Sequence, residues 1–263
     1  MAQNRRSIQT KENILETASR LFYEKGYTAT TIRDICSQSG ISVSRVNYHF
    51  SSKAELAVVV CSQFAHNFIQ ELRNIIGNSG GYSIIADAIA QRFLVDLLLA
   101  DPEAVPASRF YREITKEGIL SEAFSPKDKN VFSEVMALSQ IRESQFQPGY
   151  TNVYARMYSA ALYPLTDSWD QVLSLCDGDR EKAIDRIQEI FVSLFMQMLD
   201  FRHDVQREIL ALSEKYYRMM DVELQDLTQV HITISVPWCQ DDRDRIWQPV
   251  LELCSEAEEN SMD

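Results

Sequence analysis

The chain has 263 residues, 45% of them hydrophobic, 24% charged and 10% aromatic, which is enough for one large domain or two smaller ones with a buried core. Its eight glycines and seven prolines are too few for a turn-rich β-sandwich or a collagen-like chain. The net charge of −12, with a pI of about 4.9, argues against nucleic acid as a partner when taken whole, because phosphates call for a basic face.

In chain order, the first predicted element is an amphipathic helix over residues 8–25. Ile14, Leu15, Ala18, Leu21 and Phe22 form one apolar stripe, and Gly26 is its expected stop. Thr30 or Thr31 offers an N-cap to a short second helix that buries Ile32, Ile35 and Cys36 and ends at Gly40. Ser42 can cap a third helix over 43–50, with Val46 and Phe50 facing inward. Ser52 and Glu55 have capping-box spacing and open a fourth helix that runs to Ile76, before Gly77, Gly80 and Gly81 break it. Three helices within about 50 residues, the last two joined by a very short turn, give the outline of a helix-turn-helix. A three-helix piece of a structural bundle has the same periodicity.

Further helices are predicted at about 83–100, 107–117, 127–143, 151–162, 180–200 and 201–227, separated by Pro102, Gly118, Pro126, Pro148, Pro164 and Gly178. The last two carry more apolar surface than one packing partner needs. Residues 231–236 alternate polar and apolar, the period of a strand. As a lone strand it lacks an obvious hydrogen-bonding partner, so it would pair with its own copy across a dimer axis or form an extended arm. An amphipathic helix over 245–259 and an acidic tail follow.

Several chemistries have no motif here. No apolar run reaches the roughly 18 residues of a membrane span. The first ten residues are polar, with no signal-peptide core, so a cytoplasmic protein without membrane contact is expected. Cys36, Cys61, Cys176, Cys239 and Cys254 form no Cys-x-x-Cys and read as reduced apolar side chains. The four histidines are isolated, so neither a metal site nor a cofactor is expected. A Gly-rich phosphate loop, Gly-x-Ser-x-Gly and His-Glu-x-x-His are all missing, which argues against an enzyme.

The run Thr30-Thr31-Ile32-Arg33-Asp34-Ile35, then Ser39-Gly40-Ile41-Ser42, then Val46-Asn47-Tyr48-His49-Phe50-Ser51-Ser52-Lys53, resembles the TetR family of transcriptional regulators. Ile14-Leu15, Ala18, Leu21-Phe22 and Lys25-Gly26-Tyr27 match the family's first helix and turn, so the resemblance covers about residues 8–60. It implies an all-α protein, with a helix-turn-helix DNA-binding domain over 1–55 and a helical ligand-binding and dimerisation domain over 56–228. An acidic extension over 229–263, with its short strand, completes the division. It also implies a homodimeric, ligand-responsive repressor on a palindromic DNA operator, dimerised through helices within 180–227, with an unidentified small-molecule effector. The alternative is a helical interaction protein whose C-terminal extension binds another protein.

With Val46 and Phe50 inward, the third helix turns Ser44, Arg45, Asn47 and Tyr48 outward and presents Ser42 and Val43 at its start. Arg45 suits guanine and Asn47 adenine, Tyr48 offers a hydroxyl to phosphate, and His49 is a candidate phosphate contact rather than a base reader. Lys53 at the next helix start, and Thr30 or Thr31 with Tyr27 across the groove, are candidate phosphate holders. Each has a plainer reading. Thr31 can be only a cap, Tyr48 and His49 can pack on the first helix, and Arg45 and Asn47 can be solvated surface. The family often has Ser or Thr at the position of Arg45 and Tyr at that of Asn47, so its base contacts do not transfer. In the body, Phe110, Tyr111, Tyr154, Met157 and Tyr158 are candidate ligand contacts, or core.

The charge is unevenly divided. Residues 1–60 carry a net +3, whereas 61–263 carry −15. A modestly basic reading head on an acidic body reconciles the global pI with a DNA partner.

Overall fold

The computed structural model describes residues 2–76, 80–119, 168–198, 203–235, 239, 241 and 242. Among these, helices account for all regular structure except one two-stranded antiparallel sheet.

Helix α1 (Ala2–Ala29) starts earlier than the periodicity predicts, and Gly26, the expected stop, interrupts it with non-helical dihedrals. Gly26 has φ of 83° and ψ of 171°, so it bends the chain and a further turn follows to Ala29. A Cβ there would lie 2.8 Å from Glu113 Oε2 and 2.9 Å from Arg109 Cδ, so the glycine serves both the bend and a close approach. Helix α2 (Ile32–Ser39) is capped by Thr31 in a full capping box with Asp34, and ends at Gly40 with φ of 69°. Helix α3 (Val43–His49) follows at once, and α4 (Lys53–Ile76) leads into the body.

The body continues with α5 (Gly80–Leu99), α6 (Pro106–Lys116), α7 (Trp169–Leu175), α8 (Arg180–Met198) and α9 (His203–Tyr217). Pro106 opens α6 at a position where its missing N–H costs nothing. A continuous apolar core runs from Ile14, Leu21, Ile35, Val46 and Leu56, along Phe64 and Phe68, to Ile89, Phe110, Leu212 and Ile232. Each such side chain, fully buried, stabilises by about 1.5–3 kcal/mol.

Two expectations at the C-terminal side are corrected. The helix predicted over 201–227 ends at Tyr217, and strand β1 (Met220–Leu224) follows it. Met220, Val222 and Leu224 alternate with Asp221 and Glu223, a period-2 pattern that continued apolar spacing had hidden. The strand predicted over 231–236 is β2 (Val230–Ile234), and its partner is β1 rather than a second copy. Val222 faces Ile232 and Leu224 faces Val230, so the hairpin's apolar face joins the core beside α4. The pairing crosses position 228, so the C-terminal extension begins as part of the body's fold. The helices predicted over 127–143, 151–162 and 245–259, together with Tyr154, Met157 and Tyr158, lie outside the described residues.

A polar cluster joins the body helices. The Arg92 side chain of α5 is only 5% exposed. It reaches Asp185 of α8 at 2.7 Å, Glu214 of α9 at 3.1 Å and Asp96 at 3.4 Å, and lies 5.4 Å from the Tyr217 ring. No helix of the described residues is long and apolar enough to cross a membrane.

Candidate nucleic-acid interface

Helix α3 is anchored from beneath by Val46, fully buried, and by Phe50 just beyond its end. That anchoring leaves Ser42, Val43, Ser44, Arg45, Asn47 and Tyr48 exposed on one outward surface. Tyr48 is 80% exposed and Val43 45%, so apolar area on this surface is left open to an outside partner. The hydroxyl of Ser42 does not cap α3; it lies 3.2 Å from that of Ser44, so both remain available to an outside partner. His49 is half-buried and edge-on to Tyr48 at 5.1 Å. Among the described residues, no hydrogen bond or ion pair holds the guanidinium of Arg45 or the carboxamide of Asn47 against the protein.

The turn before α2 separates two neighbouring threonines. Thr31 is exposed; its hydroxyl accepts from Asp34 N at 3.1 Å while the Asp34 carboxylate accepts from Thr31 N at 2.9 Å. The Thr31 hydroxyl and backbone hold the Asp34 carboxyl below its usual range. Thr30 is completely buried and donates its hydroxyl to Gly26 O at 2.7 Å and Leu21 O at 3.2 Å. It pins the bend in α1 and is not presented to a phosphate, which corrects that half of the expectation. The cap is Thr31.

Lys53 and Tyr27 are also placed differently from the sequence reading. The Lys53 ammonium donates to Tyr27 O at 2.9 Å and Thr30 O at 3.0 Å, and sits 4.0 Å from the Tyr27 ring centroid. It ties the start of α4 to the turn before α2, rather than standing free beside backbone N–H groups. Tyr27 is only 5% exposed, and burial, with the charge of Glu117 second, raises its pKa. The expected box of Ser52 and Glu55 forms in part. Glu55 N donates to the Ser52 hydroxyl at 3.0 Å, while the Glu55 carboxylate accepts from Ser51 N and the Ser51 hydroxyl, both at 2.6 Å.

Sequence reasoning missed Lys11, whose ammonium stands 5.7 Å from the Phe50 ring and brings a cation to the end of α3. No spacing rule links residues so far apart. For Phe110 and Tyr111 the structure supports the plainer of the two sequence readings, core. Phe110 is fully buried and stacks on Phe22 of α1 at 5.3 Å. Tyr111 is 2% exposed, meets Phe64 edge-on at 5.7 Å and shares a hydrogen bond with Cys61. Both are core side chains among the described residues. Phe110 belongs instead to the seam between α1 and α6, where Thr28 N also donates to the Glu113 carboxylate at 2.7 Å. Burial pushes the Cys61 thiol up to about 12, consistent with a cysteine used as a packing residue.

Residues 14–60 match the family model of bacterial regulatory proteins, tetR family. Among curated proteins, the chain is 25% identical over 134 residues to the probable HTH-type transcriptional regulator YttP of Bacillus subtilis, covering 49% of this chain and 64% of YttP. It is 29% identical over 123 residues to the uncharacterized HTH-type regulator YerO of the same organism, covering 41% and 43%. The match therefore spans less than two thirds of either relative's length. IcaR of Staphylococcus aureus, a negative transcriptional regulator of a biofilm operon, is 29% identical over 150 residues, covering 56% of this chain and 73% of IcaR. A solved structure of RolR with resorcinol superposes with a TM-score of 0.48 at 14% identity, covering 80% of this chain and 96% of RolR.

Proposed function

We propose that this chain, which belongs to the TetR family of bacterial regulatory proteins, represses transcription as a ligand-responsive homodimer on a palindromic operator. The observation that carries the reading is the outward surface of α3: polar and aromatic side chains stand exposed on a helix that Val46 and Phe50 lock from below. Arg45 and Asn47 are the base readers, by two hydrogen bonds each to guanine and adenine. Ser42, Ser44, Tyr48 and Thr31 hold the backbone, and Lys11 and Lys53 supply positive charge at the two ends of that surface. Tyr27 and Thr30 contribute by positioning Lys53.

Repression is supported by the likeness to IcaR. A dimer is supported by Ile190 of α8, which is 58% exposed beside the buried Ile187 and leaves apolar area for a second copy. Two heads related by a two-fold axis would read half-sites about 34 Å apart. Ligand response is supported by two buried acceptors. Among the described residues, the side-chain oxygens of Gln91 on α5 and Gln188 on α8 have no hydrogen-bond partner, a rare condition that a bound donor would relieve. The seam of Phe22, Phe110, Thr28 and Glu113 would carry a shift of the body helices to the head. The division into a head over 1–55, a body over 56–228 and an acidic extension belongs to the same proposal.

The test is selection of bound sequences from a random DNA pool with the full chain, followed by fluorescence anisotropy on the winner and on scrambled DNA. A palindrome bound at least a hundredfold more tightly than scrambled DNA, with two chains per site, is expected. Equal affinity for both DNAs overturns the reading.

A further inference from the structure

A cavity of about 290 Å³ lies away from the reading surface, where the head meets the body. Tyr23 of α1 forms one wall, Phe93 and Asp96 of α5 with Ala104 of the following turn form another, and Val222 and Leu224 of β1 form the third. Its size is at the small end of pockets that take small molecules, which begin at about 300 Å³. The hairpin that closes it is fixed to both parts. Tyr23 OH donates to Leu224 O at 3.3 Å, Ser19 donates to the Asp226 carboxylate at 3.1 Å, and Asn67 of α4 donates to Thr228 O at 2.6 Å.

The walls are mostly apolar and aromatic, with the Asp96 carboxylate as the charged group among them. Asp96 Oδ2 accepts from Tyr217 OH at 2.5 Å and from Arg92 Nε at 3.4 Å. Its Oδ1 accepts no hydrogen bond among the described residues. Asp96 is also one end of a cluster with unbalanced charge. Two guanidiniums, Arg92 and Arg218, face the carboxylates of Asp96, Asp185, Glu181 and Glu214. The excess is negative, and Asp96 brings it to the cavity wall.

We propose that this cavity binds a small apolar organic cation, a primary amine carried on one aromatic ring or a hydrocarbon of similar size. The ammonium donates to Asp96 Oδ1, and the hydrocarbon lies against Phe93, Val222 and Leu224. An organic acid of the same shape is repelled, and a neutral alcohol loses the ion pair. The occupant touches α1 and the body at once, so its affinity depends on how the head sits. This consequence rests on the reading of the head as the DNA-binding unit; operator DNA and amine then alter each other's affinity by one common factor.

The experiment is isothermal titration of the full chain with 2-phenylethylamine, 2-phenylethanol and phenylacetate at neutral pH. It is repeated on Asp96→Asn and on Ala104→Trp; Ala104 is exposed at the rim, so tryptophan fills the cavity without entering the core. The amine is expected to bind at least tenfold more tightly than the alcohol, and phenylacetate not at all. Asp96→Asn should bring the amine down to the level of the alcohol, and Ala104→Trp should remove both. An amine no tighter than the alcohol overturns the site, as does undiminished amine binding in Ala104→Trp. If Asp96→Asn fails to fold, Ala104→Trp decides. Anisotropy on the selected DNA, without amine, keeps the two readings apart. Intact DNA binding with no amine binding removes the cavity site alone, and the reverse removes the DNA reading alone.

Discussion

The head and the body of this protein are stabilised by different kinds of information. The caps and turns of α1 to α3 are short in sequence, Thr31 with Asp34 and Thr30 with Gly26, even though α1 also packs at long range on α6 and the hairpin. In the body the decisive contacts are long. Arg92 meets Asp185 and Glu214, Phe110 meets Phe22, and Asp226 meets Ser19. The charges divide the same way, with +3 over residues 1–60 and −15 over the rest. The acidic body should keep DNA that the head does not hold at a distance.

The sharpest way to break this contrast is to cut the seam where the two halves meet. Phe110→Ala removes a fully buried ring stacked on Phe22 and leaves a cavity between α1 and α6. A loss of about 3–5 kcal/mol is expected in urea unfolding. If the halves were independent, the head would keep its native helical signal after the body unfolds, and two transitions would appear. One shared transition shows that the core is common to both.

Next in size is the body's own long-range device. Arg92→Met keeps the apolar stem but leaves Asp96, Asp185 and Glu214 without their shared cation. Breaking a buried pair costs about 3–5 kcal/mol, and the partial exposure of these carboxylates lowers the expectation to about 2–3 kcal/mol. The contrast predicts that DNA affinity, measured where the variant is still folded, changes far less than stability.

Arg45→Ala is the complementary change in the head. The side chain is exposed, so stability should stay within about 0.5 kcal/mol. Preference at one base pair per half-site should relax by about 2 kcal/mol, with binding to scrambled DNA nearly unchanged. Equal losses on both DNAs would make Arg45 a phosphate contact instead.

The same contrast explains what could be read before the structure. Gly40, Thr31 and the pair Val46 and Phe50 were legible because helix caps and i, i+4 spacing are local rules. The chain cannot announce locally that Thr30 would point inward and Thr31 outward; that depends on the bend at Gly26, which is set by Arg109 and Glu113 far along the chain. Lys53 was assigned to phosphate because a cation at a helix start suits an anion, yet it found two carbonyls of the preceding turn first. Phe110 and Tyr111 suited a pocket by composition alone, and only packing against Phe22, Phe64 and Cys61 distinguishes core from lining. The hairpin was half-visible. The alternation of β2 stood clear, whereas β1 directly follows a helix whose apolar spacing ran into it.

The smallest effect tests whether the head's local signals act alone. Thr31→Ala removes the hydroxyl that caps α2 and should cost about 1 kcal/mol. The cap also has a pH signature, because its hydrogen bonds depress the Asp34 carboxyl. A carboxyl lowered in the folded state contributes stability that is fully present above its unfolded pKa, near about 3.9, and is lost as pH falls through the folded value. In Thr31→Ala the Asp34 pKa, followed by carboxyl NMR, should rise back toward the unfolded one, and the acid-side slope of stability should flatten. The body resonances should not move, since the cap's hydrogen bonds among the described residues run between Thr31 and Asp34. Shifts reaching α5 or α9 would show that even the most local signal in the head is felt across the seam, and the division between the two halves would fail at its strongest point.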